Sequence, residues 1–115
     1  MRKYYTRPCN LYYGKSAIEL INNKKALSLA NNPNIAFNQI EIFERKTKRN
    51  VRSRICFISE IKNLPKKIRF ILKKDLKKIT SKRKNICGLK FDNPKIIGVL
   101  NVTPDSFSDG GLFFQ

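Results

Sequence analysis

Along the chain, apolar and polar positions change texture near residue 85, and each half predicts different elements. Residues 1–14 (MRKYYTRPCNLYYG) gather four tyrosines around Pro8 and read as an extended segment laid on its own domain. Ser16-Ala17-Ile18-Glu19 has the spacing of a capping box, and a short helix through about Asn23 would bring Ile18 and Leu20-Ile21 near one face. Asn31-Asn32-Pro33-Asn34 is a turn cluster. Ile35 to Arg45 reads as a strand, rich in β-branched residues. After a polar connection, Val51 to Ile58 reads as a second strand with Val51, Ser53, Ile55 and Phe57 on one face. Arg52 and Arg54 point the other way, which predicts a hairpin with a basic outer surface. Pro65 suits a helix start, and Ile68, Ile71, Leu72, Leu76 and Ile79 follow at helical spacing, with lysines filling the opposite face. Thr80 to Asn85 is a charged connector, so a module boundary falls there.

Beyond the connector, Gly88-Leu89-Lys90-Phe91 predicts a short strand and Asp92-Asn93-Pro94 a turn. Lys95 to Val102 then forms an apolar run that does not alternate with polar residues. A strand apolar on both faces is buried on both faces, as in a parallel sheet covered by helices. The expected architecture is an α+β N-terminal module, hairpin plus amphipathic helix, over residues 1–85, followed over 86–115 by the start of an α/β fold.

Charge modifies this picture. The chain carries 25 Lys+Arg against 8 Asp+Glu, a formal net charge of +17. Such a surface attracts polyanions, and the lysine-faced helix would suit a nucleic-acid backbone or a membrane surface. The simpler reading is a helix packed on a sheet with its lysines in water, within a composition biased towards Lys, Ile and Asn. Nucleic acid is therefore a disfavoured partner. No run of about 18 apolar residues occurs, so no membrane span is expected. The three cysteines, Cys9, Cys56 and Cys87, are odd in number and widely spaced, and there is no histidine. That excludes a Cys/His zinc site and fits reduced thiols in the cytoplasm.

Candidate chemistry lies at the end of the apolar run. In α/β folds the functional groups sit where strands end at their carboxyl side. Asn101 is a polar residue at that end. Behind it, Thr103-Pro104-Asp105-Ser106-Phe107-Ser108-Asp109-Gly110-Gly111 offers two carboxylates, three hydroxyls and two glycines. Such oxygen ligands suit a hard cation such as Mg²⁺, which would let carboxylates approach a phosphate. A calcium loop is ruled out, because Phe107 occupies a ligand position. On residue chemistry alone, a catalytic loop and an ordinary surface turn rich in Ser, Asp and Gly stay in balance.

The stretch Pro94 to Gly111, PKIIGVLNVTPDSFSDGG, closely resembles the first signature of the dihydropteroate synthase family of pterin-binding enzymes. Gly88 to Asn93 resembles the lead-in strand of that family, and the basic residues before it resemble, more loosely, extensions found on some members. The resemblance implies a (β/α)₈ TIM barrel, of which this chain holds the first strand and loop. It implies a transferase of folate biosynthesis that joins p-aminobenzoate to 6-hydroxymethyl-7,8-dihydropterin pyrophosphate, giving 7,8-dihydropteroate. Carried over by position, Asn101 would bind Mg²⁺ and the pyrophosphate. Thr103 to Gly111 would be a mobile loop closing over bound pterin, with Thr103 among its substrate contacts. Phe107 would help enclose the p-aminobenzoate ring, while Asp105 and Asp109 would stabilise the closed loop and the metal–pyrophosphate group. The full-length family member is expected to be a homodimer.

A barrel of this kind takes about 250 residues. The expectation is therefore an N-terminal portion of a synthase, inactive alone, with an unpaired apolar strand. The alternative is a free-standing basic nucleic-acid-binding module that carries the motif as a relic.

Overall fold

The computed structural model describes residues 3–102, and the chain divides into two units, Met1–Lys84 and Asn85–Gln115. The first is a mixed α+β unit in the order β1 (Tyr4–Tyr13), α1 (Gly14–Asn22), β2 (Leu27–Leu29), β3 (Asn32–Arg45), β4 (Val51–Phe57), a 3₁₀ turn (Ile58–Asn63) and α2 (Lys66–Thr80).

The sheet is antiparallel and built around the long strand β3. β1 pairs along one side of it, from Tyr4 opposite Glu44 to Tyr13 opposite Ile35. β2 and β4 share the other side end to end, β2 against Asn32–Phe37 and β4 against Gln39–Arg45. The tyrosine-rich start is thus an edge strand. That position tolerates Pro8, which cannot donate to a ladder on both sides.

Local chemistry fixes the connections. Gly14, at φ +60, turns the chain from β1 into α1 in a conformation that costs glycine little. α1 begins at Gly14 with Tyr13 as its N-cap, so Ser16 lies inside the helix and the expected capping box does not form. The helix closes with Lys24 left-handed, Lys24 N donating to Ile21 O at 3.0 Å and Lys25 N to Leu20 O at 2.8 Å. This is the Schellman arrangement with lysine where glycine is usual. β2 and β3 are joined by Ala30 and Asn31, both with positive φ, as a two-residue type I′ hairpin requires. The turn therefore comes before the Asn-Pro-Asn cluster, and Asn32–Asn34 belong to β3. Ala30 N donates to Ile79 O at 2.8 Å, which ties this turn to the end of α2.

Two apolar clusters hold the unit together. Ala17, Ala26 and Ala36 let α1 approach the sheet closely, with Tyr12, Leu20 and Ile21 around them. Ile40, Ile42, Cys56 and Leu72 form the other, flanked by Ile68, Leu76 and Ile79 of α2. Each fully buried aliphatic side chain here contributes about 1.5–3 kcal/mol.

The predicted hairpin forms, pairing Arg45 with Val51 and Gln39 with Phe57. Its faces are reversed from expectation. Arg52, Arg54 and the buried Cys56 alternate onto the side that packs against α2. Val51, Ile55 and Phe57 lie on the open side and are exposed. The small, apolar thiol of Cys56 opposite Ile40 decides which face enters the core, and three larger side chains on the other face concealed it.

In the second unit, residues 86–89 form a tight turn rather than the expected strand, with reciprocal Ile86–Leu89 backbone bonds of 3.2 and 2.9 Å. Lys95–Val102 pairs with no described strand. Ile96 is 99% exposed, and Ile97, Val99 and Leu100 are at least 80% exposed. An unpaired apolar segment is an association hazard. Cutting the chain after Asp92 is expected to raise its saturation concentration several-fold, measured by light scattering of serial concentrates. An unchanged limit would mean that this segment is covered in solution.

Candidate functional site

Of the predicted site residues, Asn101 lies within the described part, while Thr103, Asp105, Phe107 and Asp109 lie outside it. Asn101 is exposed and makes no hydrogen bond to another described residue. Its side-chain oxygen is a hard neutral donor of the type that Mg²⁺ accepts. Among the described residues, no group of three or more His, Cys, Asp or Glu side chains is arranged to hold a metal.

The first unit carries polar features that the sequence reading did not single out. Asp75 is buried on the sheet side of α2, and Thr6 Oγ1 donates to its Oδ2 at 2.7 Å. Asp75 is the one acid in a helix otherwise basic or apolar up to its final Thr80, and it falls in the stripe Ile68–Leu72–Asp75–Ile79. An acid on a core stripe needs a partner, and that signal was readable. On the open sheet face, Arg7 Nε donates to Glu41 Oε2 at 3.1 Å and Nη2 bonds the same oxygen. This bond and the attraction to Glu41 raise the Arg7 pKa further. The pair is an anchor between β1 and β3, since Glu41 is buried and its charge is answered.

Near the hairpin end, burial pushes Glu44 up, but Lys3 at 3.4 Å, the Tyr4 hydroxyl at 3.2 Å and Lys46 outweigh it, so the carboxyl titrates below its ordinary value. Burial raises the Cys56 thiol, against the pull of Arg54 and with the push of Glu60. That keeps Cys56 an un-ionised core group rather than a nucleophile. A groove of about 340 Å³ opens beside these residues, lined by Tyr4, Ile42 and Glu44, by Arg52 and Arg54, and by Pro65 and Ile68 at the start of α2.

No described helix is long and apolar enough to cross a membrane. No family model matches the chain, and no solved structure does. Two curated relatives match part of it: the dihydropteroate synthases of Neisseria meningitidis serogroup C and of serogroup B (strain ATCC BAA-335 / MC58). Each is 67% identical over 25 residues, which is 22% of this chain and 9% of the relative. The chain thus spans 9% of the length of the relatives it matches, and the likeness relates one short segment of it to a transferase of folate biosynthesis.

Proposed function

We propose that residues 86–115 are the opening of a dihydropteroate synthase barrel, its first strand and first mobile loop, and that residues 1–85 are a basic extension preceding it. The observation carrying this reading is the 67% identity to two synthases over 25 residues. The residue chemistry supports it. Lys95–Val102 has the apolar character of a strand covered on both faces, and its exposure here leaves room for the neighbours that a barrel would bring.

In this reading the substrates are p-aminobenzoate and the pterin pyrophosphate, and the product is 7,8-dihydropteroate. Asn101, at the carboxyl end of the strand, contacts the pyrophosphate and contributes its amide oxygen to Mg²⁺. Mg²⁺ held there would supply positive charge to the pyrophosphate leaving group. Thr103 adds a hydroxyl to the substrate pocket. Phe107 walls off the p-aminobenzoate ring and helps exclude water. Asp105 and Asp109 hold the loop closed over the developing positive charge on the pterin. The full-length protein acts in the cytoplasm as a homodimer.

The other strands and helices of the barrel, and the groups they carry, are not among these 115 residues. The pure 115-residue chain is therefore expected to form no dihydropteroate when supplied with both substrates and Mg²⁺, followed by coupling to dihydrofolate synthesis. The same chain continued through a complete barrel is expected to turn over. Product from the 115 residues alone, or none from the continued chain, would remove this reading.

A further inference from the structure

We propose that the groove between β4 and the start of α2 binds a small phosphorylated molecule with an apolar or aromatic body, its phosphate held by Arg52 and Arg54. The groove lies wholly in the first unit and does not depend on the synthase reading.

Register and alternation make the site. Arg52 stands opposite Glu44 and Arg54 opposite Ile42, on the face that carries Cys56 into the core. α2 covers that face from Ile68 onward, so the two arginines lie past the covered part and line the groove instead. Both are exposed, and among the described residues neither makes an ion pair or a side-chain hydrogen bond. Glu44, the one acid in the groove, is already engaged by Lys3 and Tyr4. Two free guanidinium groups beside a compensated carboxylate leave net positive charge without an internal partner. Planar guanidinium forks match phosphate oxygens in pairs. The positive end of α2 at Pro65 adds to the same field.

The remaining wall is apolar, from Ile42, Pro65, Ile68 and the Tyr4 side chain. A bare anion would leave that wall wet. A volume of about 340 Å³ lies at the small end of ligand sites and suits a body of about nucleotide size. The lysines along α2 are a different feature, dispersed on its solvated face.

Calorimetric titration of the full 115-residue chain at low salt, with adenosine monophosphate, inorganic phosphate and adenosine as probes, tests this. The monophosphate is expected to bind most tightly. The double variant Arg52→Ala/Arg54→Ala is expected to weaken it about tenfold or more. The double variant Lys73→Ala/Lys77→Ala removes the same charge from the exposed face of α2 and is expected to stay within about twofold of the parent. All four residues are exposed, so both variants are expected to keep the parent's circular dichroism spectrum. Equal weakening by the two variants would reduce the effect to overall charge and overturn the proposal. So would absence of monophosphate binding, or binding no tighter than inorganic phosphate.

Discussion

Asn101→Ala, made in the chain continued through a full barrel, is expected to lower kcat/KM for the pterin pyrophosphate about 100-fold, the usual order for loss of one preorganised group acting on developing charge. The reasoning starts from position. Asn101 follows the apolar run Ile96–Leu100, so a barrel strand built from that run would present it at the catalytic end. Among the described residues it has no hydrogen-bond partner, so in the proposed reading alanine there removes a ligand contact and breaks no bond seen here. Stability should therefore be unchanged while turnover falls. Raising Mg²⁺ should recover part of the loss if the amide oxygen serves the metal, and none if it contacts pyrophosphate alone. An unchanged kcat/KM in a folded variant would refute the role. A fall in melting temperature matching the fall in activity would make Asn101 a structural residue instead.

The first unit was legible where one period dominated. The α2 stripe at Ile68, Leu72, Leu76 and Ile79 repeats at helical spacing and packs on the sheet as expected, while Ile71, read as part of the same stripe, lies outside that cluster beside Phe70 and Lys74. The two strands on either side of Lys46–Asn50 were readable from their β-branched residues. Where two signals competed, the weaker-looking one won. Ser16 and Glu19 have capping-box spacing, but Gly14 gives the chain a cheaper place to turn, and the helix starts there. In β4, Val51, Ile55 and Phe57 outweigh Cys56 in apolar bulk, yet register with Ile40 puts the thiol in the core. That reversal created the groove, which no reading of β4 alone could have found. It needs the start of α2, about ten residues further on, to form its opposite wall. The candidate site at Asn101 is the converse case. Its signature is contiguous and readable in the sequence, and only Asn101 of it falls among the described residues.

Leu72→Ala is expected to cost the first unit about 2–5 kcal/mol, a large share of the roughly 5–15 kcal/mol that holds a domain together. Leu72 has no exposed surface and stands between Ile40, Ile42 and Cys56 of the sheet and Ile68, Leu76 and Ile79 of its own helix. The β3 and β4 side chains are fixed by their ladder, so the space left by the missing atoms would not close fully. At roughly 4–8 °C for each kcal/mol in a unit of this size, the melting temperature should drop by about 8 °C or more. Phe70, two residues away, provides the comparison. It is 64% exposed, and its described ring contact is Lys74 Nζ, 5.2 Å from the centroid. Phe70→Ala should cost under about 1 kcal/mol. Thermal melts of the two variants, followed by far-ultraviolet circular dichroism, distinguish a helix docked through Leu72 from one rotated about its axis, for which the order would invert. The same docking holds Pro65 and Ile68 beside Arg52 and Arg54, so loosening α2 at Leu72 should also weaken monophosphate binding at temperatures where the unit remains folded.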